Sequence, residues 1–183
     1  MNRRKAIGGI VAAAAAAAAP TTLVADEITD WTAWWERSKR YTLQIAEAMP
    51  PADYSYAAFG NGSLEGVKSG DGARTFGQLM QHIAQAEGFY LGRFGKGTPP
   101  AAPQGDTGKA ATVKYLNDVF DWSIGVVRQL TPADLARPVP GGRGAPMSGL
   151  DVLLNAMVHT AHTRGYSDMY LRNKGIKPPT YQV

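Results

Sequence analysis

Apolar residues recur every three or four positions in four stretches of the chain, and proline or glycine closes each stretch. Side chains three and four apart share one helix face, so this spacing predicts four amphipathic α-helices. The first runs from about Ile28 to Met49, with Trp31, Trp34, Trp35, Tyr41, Ile45, Ala48 and Met49 on one face. Asp30 or Thr29 can cap its start, and Pro50-Pro51 stops it. The second begins at Thr75, where Thr75 and Gln78 have the spacing of a capping box. Phe76, Leu79, Met80, Ile83, Tyr90 and Phe94 form its stripe, and Gly95-Lys96-Gly97 ends it. The third covers about Lys109 to Leu130, with Val113, Leu116, Phe120, Ile124 and Val127 inward and Thr131-Pro132 after it. The fourth starts at Ser148, with Asp151 as capping partner, and continues to about Asn173. Its expected inward residues are Leu150, Leu153, Leu154, Met157, Val158 and Ala161.

Between these helices, residues Pro50 to Arg74 show no period and read as a long ordered connection. Arg137 to Pro146 is a Pro/Gly-rich loop. No segment reads strongly as strand, and there is no internal repeat. The expectation is an all-α four-helix bundle whose two long connections allow a topology other than simple up-down-up-down.

The N-terminus changes the picture of the whole. Arg3, Arg4 and Lys5 precede an uncharged run from Ala6 to Ala19, Pro20 breaks the run, and Leu23-Val24-Ala25 offers a small-residue cleavage site before Asp26. Residues 1–25 therefore read as an export signal, and the paired arginines allow a twin-arginine route. The run is shorter than the roughly 20 residues a membrane span needs. Residues 26–183 are then one exported, periplasmic or extracytoplasmic domain, with no membrane attachment after cleavage. The formal charge of the chain is +4, but three of the positive charges lie in the signal, leaving +1. The basicity belongs largely to the leader and does not argue for nucleic-acid binding.

Candidate chemistry is limited by composition. With no cysteine, disulfides, zinc–thiolate clusters, iron–sulfur centres and thiol nucleophiles are excluded. Three histidines remain: His82, His159 and His162. His82 sits at the edge of the second helix's stripe, and His159 lies in the corresponding part of the fourth helix. Neutral imidazoles on facing bundle helices suit zinc, nickel or iron. A histidine beside an apolar stripe also serves as an ordinary hydrogen-bonded core residue, so spacing alone leaves both readings open.

Longer matches favour the metal. Arg74-Thr75-Phe76-Gly77-Gln78-Leu79-Met80-Gln81-His82-Ile83-Ala84 resembles the second-helix motif of the DinB/YfiT-like family. Ala48-Met49-Pro50-Pro51-Ala52-Asp53-Tyr54-Ser55-Tyr56 is similar to its segment after helix one, and His159-Thr160-Ala161-His162-Thr163-Arg164-Gly165 to its fourth-helix signature. Tyr170 to Pro179 resembles the tail that follows. The resemblance implies an up-down-down-up bundle. It also implies a divalent metal held by one histidine of helix two and a His-x-x-x-His pair of helix four. His82 and His159 match the first two positions, whereas the third is Thr163. Either His162 takes that role from the flank, about 100° around the helix, or Thr163 or water completes a weaker two-histidine site, or the site is empty. The implied function is a metal-dependent hydrolase or thiol transferase acting on a small molecule. The alternative is a non-catalytic envelope or stress-related bundle that binds a small ligand or metal. A homodimer is compatible with either.

Of the remaining candidates, the helix-one tryptophans are expected in the core, as are Tyr90 and Tyr166. Gly165 is expected to permit close helix approach, and Arg164 to be a surface or capping partner. Neither Glu87 nor Asp168 falls one clean turn from a proposed ligand, so neither is named as a catalytic base.

Overall fold

In the computed structural model, described for residues 21–58, 74–140 and 145–181, with side chains from Asp30 onward, five α-helices surround one core. They are α1 (Thr21–Ala48), α2 (Phe76–Leu91), α3 (Lys109–Val127), the short α4 (Pro132–Ala136) and α5 (Gly149–Asn173). The four long helices pack as a ring: α1 on α3, α3 on α2, α2 on α5, and α5 on α1. Consecutive α1 and α2 thus sit diagonally, which is why their connection is long. None of the described helices is long and apolar enough to cross a membrane.

Local sequence fixes the starts of α2, α4 and α5, whereas α1 begins at Thr21, so Thr29 and Asp30 lie within it and do not cap its start. Thr75 Oγ1 accepts a hydrogen bond from the Gln78 backbone N–H, and Gln78 Oε1 accepts one from the Thr75 backbone N–H, the capping box its spacing predicts. The Ser148 side chain accepts from the Asp151 backbone N–H at 3.1 Å. α2 ends at a one-turn 3₁₀ segment, Gly92–Phe94, and Gly95 closes it at a positive φ of 69°. The third helix is shorter than its apolar pattern suggests, because Thr131 caps a new helix: Thr131 and Asp134 form a second capping box that opens α4. Two two-residue strands, β1 (Pro138–Val139) and β2 (Met147–Ser148), pair antiparallel and lead into α5. The connection from Pro50 begins with a 3₁₀ turn, Pro51–Asp53. Its residues 59–73, and residues 1–20 of the expected export signal, lie outside the described ones.

The core is built by Trp35, Tyr41, Ile45 and Met49 of α1, Phe76, Leu79, Met80 and Ile83 of α2, and Leu116, Val119, Phe120 and Val127 of α3. Trp31 and Trp34 pack partly buried against it. α5 departs from expectation. Leu153 is buried, but Leu150, Leu154 and Val158 are exposed, Val158 by 66%. The inner side of this helix carries Val152, Ala156, Thr160, Thr163, Arg164 and Ser167 instead. Its apolar residues do not mark its buried face because that face meets a polar seam.

Candidate functional site

The seam centres on Glu87 of α2, which is 1% exposed. Trp35 Nε1 of α1 donates to its Oε2 at 2.9 Å, and Thr160 Oγ1 of α5 donates to its Oε1 at 2.6 Å. Burial raises the Glu87 pKa to about 7, while the hydrogen bonds from Thr160 and Trp35 and the charge of Arg164 pull the other way. Arg164, expected at the surface, is also buried, because its Nη1 donates to Ser38 Oγ at 3.0 Å and Thr42 Oγ1 at 3.4 Å. Its guanidinium carbon lies 4.8 Å from the centre of the Tyr41 ring. Tyr41 in turn donates to Asp168 Oδ2 at 3.2 Å. Gly165 is exposed, and a Cβ there would meet nothing within 4 Å, so it serves no close helix approach.

On the outer side of α2 the picture is different. His82, Ala86, Phe89 and Arg93 recur at helical spacing along one stripe and, with Gln85 and Tyr90, form one wall of a cleft of about 700 Å³. His159 and Asn155, one turn apart on α5, and Met147 of β2 form the other. The His82 and His159 rings meet across it with centroids 4.9 Å apart, at 72° to each other. Tyr90, half-buried, lies 6.0 Å from the His159 ring. Among the described residues, no Asp or Glu lines this cleft.

The proposed flank ligand does not join the pair. His162 is exposed, packs edge-on against Tyr166 at 5.0 Å, and is absent from the cleft lining. Among the described residues, no three His, Cys, Asp or Glu gather as a metal group. The reason is angular: three residues beyond His159 the helix has turned about 300°, and the remaining offset directs His162 toward solvent. Thr163, four residues on, is fully buried, and its Oγ1 has no hydrogen-bond partner among the described residues.

The donor set fits a metal in a restricted way. An ion bound to two imidazole nitrogens at roughly 2.0–2.1 Å with a near-tetrahedral angle sets the ring centres about 5 Å apart, close to the separation of His82 and His159. Two imidazoles in an open wall suit an ion that completes its shell with water or ligand. They do not suit a closed three-histidine centre.

Fold and cleft together define an all-α bundle that presents two imidazoles, one from each of two facing helices, to an open concavity. The chain belongs to the DinB superfamily, whose family model matches residues 34–167. Two solved structures share the fold. A DinB-like protein from Bacillus cereus is 18% identical, with a TM-score of 0.70 over 85% of this chain and 97% of its own. A DinB-like protein from Bacillus subtilis is 19% identical, with a TM-score of 0.62 over 84% and 98%. No curated protein matches the chain.

Sequence reasoning missed much of this site. Arg93, Phe89, Asn155 and Met147 of the cleft lining were not singled out, while Glu87, not named as a base, is sealed in the core away from the cleft. The only available signal was the stripe running from His82 through Phe89 to Arg93, whose polar ends disguise it as ordinary surface.

Proposed function

We propose that this protein binds a divalent metal ion and a small ligand without turnover, His82 and His159 supplying the protein ligands. The reading is carried by the ring pair at 4.9 Å in the wall of an open cleft. With two protein nitrogens, the ion keeps positions for water or ligand, and zinc, nickel and iron all accept imidazole. Such an ion supplies Lewis acidity when bound.

A hydrolase or thiol transferase needs in addition a group to move a proton. Among the described residues, the cleft lining beyond the two histidines offers amides, aromatic rings, the Tyr90 hydroxyl and a guanidinium, and no carboxylate. Glu87, the carboxylate with a pKa near neutrality, is sealed in the core by Trp35 and Thr160. This distribution favours binding over catalysis. The leader-like residues 1–25 support placing the function outside the cytoplasm.

Calorimetric titration of Zn²⁺ or Ni²⁺ into chelator-treated protein tests the metal assignment. One site per chain is expected, with affinity reduced by about tenfold or more in His82→Ala and in His159→Ala, and unchanged in His162→Ala. Absence of binding, or a loss in His162→Ala equal to the others, contradicts it.

A further inference from the structure

Among the described residues, Arg93 is the one permanent cation in the cleft lining, and no acidic side chain lines it. It sits in the 3₁₀ turn that ends α2, half-buried, with its guanidinium carbon 4.2 Å from the Phe89 ring centre and 5.4 Å from that of Tyr90. Two other cations close to it in sequence or fold, Lys96 and Arg137, share the carboxylate of Asp134. Among the described residues, Arg93 makes these ring contacts and no ion pair. A guanidinium resting on rings keeps N–H donors in its plane, in the fork that matches two oxygens of one acid group. Phe89, Tyr90, Ala86 and Met147 give the same lining its apolar part. Positive charge in a concave, partly apolar site attracts anions far more strongly than the same charge on open surface.

We propose that the cleft takes a small organic oxyanion with a planar apolar body, its carboxylate or phosphate paired with Arg93 and its body against Phe89, Tyr90 and Met147. This rests on reading the cleft as a ligand site, and it adds the chemical class and the anchoring residue. The histidine pair lies at the other end of the same α2 stripe, so the ligand reaches from Arg93 toward the ion.

The test is calorimetric titration of the full chain, with and without Zn²⁺, using phenylacetate, phenyl phosphate and neutral phenylacetamide as probes. At least one acid should bind about tenfold or more tightly than the amide, as expected for a charge-assisted bidentate pair. Whichever acid binds better identifies the head group. Arg93→Met, which keeps an apolar stem on Phe89, should lose that preference while retaining Zn²⁺ affinity. Arg93→Lys, which keeps the charge, should retain part of it. Equal binding of acid and amide, or an unchanged preference in Arg93→Met, overturns the inference. Zn²⁺ binding without capture of either acid overturns it alone and leaves the metal reading standing. Capture through Arg93 by protein that binds no Zn²⁺ overturns the metal reading alone.

Discussion

Glu87 receives hydrogen bonds from α1 and α5 at once, so its proton is coupled to the packing of the bundle. Burial lifts its pKa from the usual 4.5 to about 7. Between those values the folded protein holds a proton that the unfolded chain has released. Stability from this group is therefore greatest below pH 4.5, falls as pH rises through the window and is level above about 7, a change on the order of a few kcal/mol. Glu87→Gln should flatten that part of the melting-temperature profile relative to wild type; an identical slope in the variant contradicts the assignment. Thr163 poses the opposite case, a buried hydroxyl without a partner among the described residues. Thr163→Val should melt at the same temperature or higher, since no hydrogen bond is lost and about 1 kcal/mol of desolvation is relieved. A clear drop in thermal denaturation assigns the hydroxyl a partner. At this scale the sequence was legible where one residue type has few roles: His82 and His159 are brought together as their helix positions suggest. Glu87, Arg164 and His162 were not legible. Their environments are made by residues 50 to 130 positions away or by a helix turn, which no local window contains.

Among the elements, the starts of α2 and α5 were read most accurately, because a cap involves only four residues, whereas α1 begins at Thr21, well before the expected cap at Thr29 or Asp30. Thr75 with Gln78 and Ser148 with Asp151 needed no tertiary information. α5 was misread because amphipathicity assumes an apolar partner, and its partner is the Glu87–Arg164 seam. Two glycines show how tightly elements meet. A Cβ on Gly77 of α2 would lie 2.0 Å from the Thr107 carbonyl oxygen, and one on Gly149 of α5 2.0 Å from that of Asp134 in α4. Both obstacles are backbone, so Gly77→Ala and Gly149→Ala should each destabilise by about 1–3 kcal/mol despite the better helix propensity of alanine. Denaturant midpoints check this, and unchanged midpoints contradict the close approach.

For the whole molecule, the ring of four long helices fixes α2 against α5, and that contact creates the cleft. The bundle was legible from periodicity and motif order. The cleft was not, since it depends on which polar stripes face each other. Cleavage after Ala25 would leave α1 as Asp26–Ala48 and remove three positive charges. Intact-mass measurement of exported protein should give an N-terminus at Asp26, and full-length mass in the exported fraction contradicts cleavage there. The central claim concerns two imidazoles sharing one ion. Anomalous diffraction at the zinc edge from zinc-soaked crystals addresses it most directly. A single strong peak within about 2.0–2.1 Å of one nitrogen of His82 and one of His159 is the expected result. A zinc-replete crystal with no peak between those rings, or with its peak at His162, contradicts the account.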